Sequence, residues 1–242
     1  IMKYSIVFPG QGSQSLGMLS DLRSNFSVVN EIFQEASDAI NLDLWRIINE
    51  DQDLLNLTEN TQPIMLAAGY ATYKVLESEV NLMPMSIAGH SLGEYTALVA
   101  SGSLSLFDAT QLVRKRAELM QAAVPSGTGS MAAILGLDDA KVVEICSIAN
   151  EEGVVEAVNF NSPGQVVIAG EIKAVVNACE LMKEAGAKRA LVLPVSVPSH
   201  CSLMKDAAID FKYSVETINF QMGSDRVLHN VDADYSNSIE EI

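Results

Sequence analysis

The sequence contains few cysteines and none of the spacings typical of a metal site. Its 242 residues include three cysteines, at positions 146, 179 and 201. Free thiols are typical of a reducing compartment, because disulfides form and persist mainly in oxidising ones. We therefore expect unpaired cysteines, no bound metal and a cytoplasmic location.

Basic residues are also scarce. The chain has 15 lysines and arginines against 31 aspartates and glutamates, which gives a formal net charge of −16 at pH 7. This charge would repel the phosphate backbone of a nucleic acid, so we exclude nucleic acid as a partner. An acidic partner would need a local basic cluster, and the sequence has two: residues 114–116 (RKR), and Lys183 with residues 188–189 (KR).

Long hydrophobic runs are absent from the sequence. No apolar run approaches the roughly 18 residues of a membrane span, so we expect no membrane partner. The first residues pass directly into a strand-like segment at 4–8, and no secretory signal is visible. Hydrophobic residues still make up 48% of the chain, which is enough for a sizeable core.

The order of hydrophobic patterns predicts an inserted subdomain. After a Pro/Gly/Ser boundary near residue 127, strands and helices follow in the order β-α-β-β-α-β, which is typical of a ferredoxin-like unit. Their predicted ranges are 131–135, 138–149, 154–158, 165–169, 171–184 and 190–195. We predict an α/β fold in which this subdomain, residues 127–195, is inserted into a larger domain of residues 1–126 and 196–242. A ligand would bind in the cleft between them.

The motif GHSLG at residues 89–93 matches G-x-S-x-G. It lies between a short apolar segment and an apolar helical pattern, which is the context of a nucleophile elbow. Ser91 would then stand at a helix N-terminus, where free N–H groups favour a developing negative charge. Residues 91–94 also match the capping box S-x-x-E, in which Ser91 would only cap the helix. A second such pattern, Ser105 to Asp108, predicts the start of another helix.

A serine nucleophile needs a general base, and the chain has three histidines. His90 lies inside the motif, where we expect a structural role. His229 lies in a strand-like segment at residues 227–231, and we expect it to be a packed or surface histidine. His200 follows the last strand of the predicted subdomain, where the chain re-enters the large domain, and we predict that it is the base. Cys201 beside it is expected to be a buried thiol.

An oxyanion needs two preorganised N–H donors. One would come from Leu92, the residue after the nucleophile. The other would come from the glycine-rich turn at residues 10–12, where backbone can approach a ligand closely. This turn is not a dinucleotide fingerprint, because Ser15 replaces the third glycine. Arg116 lies on an apolar-periodic helix and is either solvated or paired with a carboxylate through two parallel hydrogen bonds.

Four motifs occur in order along the chain: FPGQGSQ at 8–14, GHSLGEY at 89–95, NFNSPGQ at 159–165 and VPSH at 197–200. Together they resemble the malonyl-CoA:acyl carrier protein transacylases of bacterial fatty acid synthesis. The resemblance implies an α/β-hydrolase-like large domain with a ferredoxin-like insert. It also implies a two-step transfer, with no cofactor, of malonyl from malonyl-CoA to Ser91 and then to the phosphopantetheine thiol of acyl carrier protein.

The resemblance further implies roles for single residues. His200 would act first as base and then as acid, and Gln11 would donate the second oxyanion N–H. Arg116 falls where the family binds the malonate carboxylate, and Gln62 matches another active-site glutamine. Members of this family continue past residue 242 with a segment whose backbone carbonyl orients the histidine. We therefore expect the large domain to be incomplete at its C-terminal end.

Two other classes of protein share part of this pattern. A serine thioesterase or esterase would use the same Ser91 and His200 but transfer the acyl group to water. A non-catalytic interaction module would need neither residue. Arg116 and the inserted subdomain favour transfer, and an acidic carrier protein would dock on Lys183 or on residues 188–189.

Overall fold

The computed structural model describes residues 4–81, 83–195 and 197–242, so residues 1–3, Leu82 and Ser196, which precedes the predicted VPSH motif, lie outside the described residues. Its strands are β1 (Ser5–Phe8), β2 (Ser86–Gly89), β3 (Gly129–Leu135), β4 (Val155–Ser162), β5 (Gln165–Glu171), β6 (Arg189–Val192) and β7 (Val227–Leu228). Its α-helices are α1 (Ser20–Asn25), α2 (Ser27–Ile40), α3 (Leu44–Glu50), α4 (Gln52–Asn56), α5 (Thr58–Glu79), α6 (Leu92–Ser101), α7 (Leu106–Ala122), α8 (Asp139–Ala149), α9 (Ile172–Glu184) and α10 (Lys205–Val215).

The chain divides into two compact units. The first is formed by Ile1–Glu118 with Ser214–Ile242, and the second by Leu119–Tyr213. The second unit is therefore inserted into the sequence of the first. The narrower limits predicted for the subdomain, residues 127–195, and the cleft predicted beside it stay predictions.

The first unit is built around a parallel sheet in the order β1-β2-β7. Parallel neighbours need long crossover connections, and here helices α1 to α5 separate β1 from β2. The register pairs Phe8 with Gly89, so β1 and β2 end side by side. The turn after β1 and the turn after β2 therefore leave the same edge of the sheet, which is where open α/β sheets bind ligands.

The second unit has an antiparallel sheet in the order β4-β5-β3-β6. Helices α8 and α9 pack their apolar faces on this sheet, burying Val142, Ile145, Ala178 and Met182 with Ile134 and Ile168. The β-α-β-β-α-β order and the sheet order confirm the predicted ferredoxin-like insert in an α/β protein. Strand β6 ends at Val192, before the predicted end at 195, and Pro194 nearby cannot donate to a strand ladder.

Within the described ranges, no helix is both long enough and apolar enough to cross a bilayer.

Candidate active site

Ser91 lies in a tight turn between β2, which ends at Gly89, and α6, which begins at Leu92. Its backbone has φ 52° and ψ −107°, a combination that non-glycine residues rarely adopt. Such a conformation costs about 1–3 kcal/mol and persists only where the surrounding structure holds it. This strand–turn–helix geometry is the one that the G-x-S-x-G pattern predicts.

The two glycines of the motif are required by close packing. A Cβ on Gly89 would lie 1.9 Å from the carbonyl carbon and oxygen of Gly93. A Cβ on Gly93 would lie 2.3 Å from the Phe8 carbonyl oxygen. A Cβ on Gly10 would likewise lie 2.8 Å from the His90 oxygen. The motif glycines therefore allow the end of β1, the turn after it and the first turn of α6 to meet at Ser91.

Ser91 does not act as a capping residue. Among the described residues, its hydroxyl makes no cap hydrogen bond to α6, and its own N–H donates to Asn230 Oδ1 at 3.1 Å. The Glu94 carboxylate accepts instead from the Asn230 N–H at 2.9 Å and contacts His229 Nδ1 at 2.8 Å. The capping-box alternative for residues 91–94 is therefore wrong. The Glu94 N–H donates to the backbone oxygen of Ser91 and not to its hydroxyl, and Asn230 replaces the Glu94 side chain as the acceptor for the Ser91 N–H.

Arg116 on α7 contacts the Ser91 hydroxyl directly. Its Nη2 donates to Ser91 Oγ at 3.0 Å, and its Nη1 donates to Gln62 Oε1 at 2.9 Å. The guanidinium carbon lies 5.6 Å from the centre of the Tyr95 ring. Burial raises the pKa of the Tyr95 phenol, and the charge of Arg116 opposes that rise. Arg116 is half-buried and held by several partners, so it is preorganised to bind an anionic group beside Ser91.

Gln62 connects Arg116 to the turn after β1. It lies on α5 and is fully buried, and its Nε2 donates to Gln11 Oε1 at 3.4 Å. Gln11 itself is exposed. The first unit thus brings together four of the residues predicted for the site: Ser91, Arg116, Gln62 and Gln11.

Leu92 is the first residue of α6 and is buried. The N–H groups of the first helical turn have no acceptor within their own helix, so the Leu92 N–H is placed as an oxyanion donor would be. Its use for this purpose, like that of Gln11, stays a prediction.

His200 belongs to the second unit, in the loop after β6. It is exposed and has a positive φ of 70°. Cys201 beside it is buried, and its thiol donates to the Pro198 oxygen at 3.1 Å. Burial raises the pKa of the Cys201 thiol, which keeps it protonated and unreactive. The role of His200 as base stays a prediction.

Asn230 and Glu94 were not predicted as site residues. Glu94 gave a signal only as part of a capping box. Asn230 gave none, because its contact with Ser91 joins residues 139 positions apart. His229 was expected to be a packed or surface histidine, and it is buried between Glu94 and Ser236.

A separate cleft lies in the first unit, among α1, α2 and α3. It has a volume of about 1040 Å³ and contains Arg23, which stacks on Trp45 at 4.3 Å. It contains none of the predicted site residues.

In the part of the chain that the structure describes, no group of three or more His, Cys, Asp or Glu side chains could hold a metal ion.

Comparisons with known proteins agree with this geometry. A family model described as acyl transferase domain matches residues 5–229. The malonyl CoA-acyl carrier protein transacylase of Haemophilus influenzae is 53% identical over 232 residues, which cover 95% of this chain and 74% of the relative. The protein of the same name from Escherichia coli K12 is 51% identical over 231 residues, 95% of this chain and 75% of the relative.

Solved structures give the same result. The malonyl CoA-acyl carrier protein transacylase of Coxiella burnetii has a TM-score of 0.97 at 43% identity, over 99% of this chain and 76% of its own. A malonyl-transacylase solved in complex with its type II PKS acyl-carrier protein has a TM-score of 0.96 at 48% identity. The match covers 99% of this chain and 78% of that protein's chain. By family model, sequence and structure, the chain belongs to the acyl transferase domain family and, within it, to the malonyl CoA-acyl carrier protein transacylases.

Proposed function

We propose that this protein transfers a malonyl group from CoA to the phosphopantetheine thiol of acyl carrier protein, through an ester on Ser91. One observation carries the proposal: a serine hydroxyl, free of any capping role, lies 3.0 Å from the guanidinium of Arg116. A hydroxyl beside a fixed cation suits a substrate that has a reactive carbonyl at one end and a carboxylate at the other.

In the first half-reaction, Ser91 Oγ attacks the thioester carbonyl of malonyl-CoA while His200 takes the hydroxyl proton. The negative charge that develops on the carbonyl oxygen is stabilised by the N–H groups of Leu92 and Gln11. The carbon–sulfur bond then breaks, and His200 returns the proton to the departing CoA thiolate. The product is malonyl-Ser91 with free CoA.

The second half-reaction is the reverse of the first, with a different thiol. His200 removes the proton of the phosphopantetheine thiol, whose sulfur attacks the ester carbonyl. The Ser91 oxygen leaves and takes the proton back from His200. No cofactor takes part, because every bond change is supplied by the two thiols, the hydroxyl and the imidazole.

Arg116 and Gln62 would select the acyl group. The malonyl carboxylate fits the guanidinium fork, which already donates to Gln62 Oε1 and has five N–H donors in total. An acetyl group offers nothing to this cation, so a desolvated charge would be left without its partner. Selection for malonyl follows from that difference.

The partner and the surroundings of the enzyme follow from charge and from the thiols. An acidic carrier protein would dock on Lys183, Lys188 or Arg189, which are all exposed on the inserted subdomain, residues 127–195. The free cysteines 146, 179 and 201 are buried and unpaired, which supports a reducing cytoplasm.

The test of the function is intact-mass measurement after mixing with malonyl-CoA. The wild-type protein should gain one malonyl group, and Ser91→Ala should gain none. Addition of holo-acyl carrier protein should move the group to the carrier. An adduct that disappears in buffer alone, without a thiol acceptor, would identify a serine thioesterase or esterase, and no adduct at all would refute acyl transfer.

The docking surface needs its own test. Lys188→Glu with Arg189→Glu should raise the KM for acyl carrier protein several-fold, because rim charges act mainly on association. The KM for malonyl-CoA should not change. Lys173→Glu, an exposed lysine on the same unit, is the matched control. An equal effect on both substrates would show that the patch is wrong.

A further inference from the structure

We propose that Asn230 is a positioning residue that holds Ser91 in its reactive conformation. The proposal concerns a residue to which the predicted reaction assigns no part, and it rests on the proposed function. Asn230 follows β7, the third strand of the parallel sheet, and belongs to the same unit as Ser91.

The side chain of Asn230 binds the backbone on both sides of His90. Its Oδ1 accepts the Ser91 N–H at 3.1 Å, and its Nδ2 donates to the Gly89 carbonyl oxygen at 2.7 Å. One planar amide thus joins the last residue of β2 to the nucleophile. Both bonds depend on the present orientation of the turn, so rotation of the Ser91 backbone would break at least one of them.

The strain at Ser91 makes these bonds important. A serine at φ 52° and ψ −107° needs partners that oppose its relaxation to a common conformation. Relaxation would swing Oγ away from Arg116 Nη2, now 3.0 Å from it. Arg116 contacts the side chain of Ser91 and Asn230 contacts its backbone, so the two residues constrain different parts of the nucleophile.

Asn230 is itself anchored by the helix that Ser91 precedes. Glu94 Oε2 on α6 accepts the Asn230 N–H at 2.9 Å and also accepts from its Nδ2. Glu94 Oε1 contacts His229 Nδ1 at 2.8 Å, and His229 Nε2 contacts Ser236 Oγ at 2.7 Å. His229 is only 9% exposed, so this end of the network is shielded from water. Glu94 and His229 therefore act through Asn230.

Exposure separates this role from a purely structural one. Asn230 is solvent exposed, so its hydrogen bonds exchange for bonds with water and contribute little net free energy to folding. Loss of its amide should therefore lower the stability only slightly. A loss of nucleophile geometry, in contrast, can lower the reaction rate by about 10²-fold.

The experiment measures single-turnover acylation of the protein by malonyl-CoA, with rapid quenching and intact-mass detection, for wild type and Asn230→Ala. We expect the rate at saturating malonyl-CoA to fall by about 10²-fold. The half-saturating concentration should stay the same, because Arg116 and Gln62, which would bind the carboxylate, do not contact Asn230 among the described hydrogen bonds. Thermal unfolding is recorded for each variant.

Asn150→Ala is the matched control. Asn150 is also exposed, and its Oδ1 accepts the backbone N–H of Val155 at 2.7 Å, a contact made within the second unit, whereas Ser91 belongs to the first. Its loss should change the melting temperature about as much as the loss of Asn230 and leave the acylation rate unchanged. If both variants lose rate in proportion to stability, Asn230 is only structural and the proposal is overturned.

A second pair of variants keeps the shape of the side chain. Asn230→Asp retains an acceptor for the Ser91 N–H but removes the amide donor and adds a carboxylate beside Glu94. We expect a slower acylation, and we expect Glu94→Gln to restore part of it in the double variant, because an amide then faces the new carboxylate. No recovery would overturn the anchoring role of Glu94.

The two proposals fail in different ways. If the wild-type protein gains no malonyl group, the proposed function is wrong. If the wild type is acylated and Asn230→Ala is acylated at the same rate, the function stands and the positioning role is wrong.

Discussion

Helices α6 and α7 begin with the same short pattern and use it differently. At the start of α7, Ser105 Oγ accepts the Asp108 N–H at 3.0 Å and donates to the Asp108 carboxylate at 2.7 Å. At the start of α6, Ser91 accepts from Arg116 through its hydroxyl and donates to Asn230 through its N–H. The same pattern thus caps α7 but leaves the Ser91 hydroxyl uncapped at α6, where Asn230 and not Glu94 accepts the serine N–H.

The largest expected effect separates the two serines. Ser91→Ala should reduce acyl transfer by about 10⁶-fold, as the loss of a nucleophile does. The free energy of unfolding of Ser91→Ala should differ from that of the wild type by no more than about 0.5 kcal/mol, because no cap is lost. Ser105→Ala should cost about 1 kcal/mol of stability and leave transfer unchanged. Urea unfolding and the rate of transfer to acyl carrier protein measure both quantities.

The opposite outcome would remove the distinction between the helices. If Ser91→Ala destabilised the protein as much as Ser105→Ala and kept its activity, Ser91 would be a capping residue after all. Ser105→Thr, which keeps the hydroxyl, serves as the control for the second helix.

The sequence predicts that Ser105 caps α7, but it cannot decide whether Ser91 caps α6 or acts as a nucleophile. The cap at Ser105 uses residues three positions apart, so a local pattern contains all of it. The fate of Ser91 depends on Arg116, 25 positions away, and on Asn230, 139 positions away. Only the motif glycines and the strand–helix context favoured an elbow, and the resemblance added the role of Arg116.

The fold shows the same contrast between elements that a local pattern predicts and elements that it does not predict. The ferredoxin-like unit was predicted strand by strand, because its elements alternate with a clear hydrophobic period. The short helices α1, α3 and α4 were not predicted, since five to seven residues give too few turns for such a period. Strand β7 has only two residues and was predicted too long, at 227–231.

The next largest effect tests the cation that holds Ser91. Arg116→Ala should lower kcat/KM for malonyl-CoA by about 10²-fold or more, because the substrate carboxylate loses its partner. Activity with acetyl-CoA should change far less. Arg114→Ala is the control, since Arg114 lies on the same helix but bonds to Asn60 and Glu118. Equal losses with both substrates would contradict a role for Arg116 in selecting malonyl.

A smaller effect concerns the residue two positions after each serine. Gly93→Ala should cost about 3 kcal/mol of stability, because its Cβ would lie 2.3 Å from the Phe8 oxygen. Phe107 holds the same place at the start of α7, and its side chain is exposed. Phe107→Ala should therefore change stability by no more than about 0.5 kcal/mol. Chemical denaturation measures both, and a Gly93→Ala protein as stable as wild type would show that α6 can move away from β1.

The smallest effect distinguishes the acidic residues at the third position. Asp108→Asn keeps an acceptor for Ser105 but removes a charge from a helix N-terminus. The free energy of unfolding of this variant should therefore be about 0.5 kcal/mol lower than that of the wild type. In 1 M NaCl, where charges are screened within about 3 Å, the difference should largely disappear. Glu94 acts through hydrogen bonds to Asn230 and His229, so the effect of Glu94→Gln on the acylation rate should persist at high salt. Equal salt sensitivity of the two variants would mean that Glu94 is a surface charge like Asp108, and the contrast between the two helices would then rest on Ser91 and Arg116 alone.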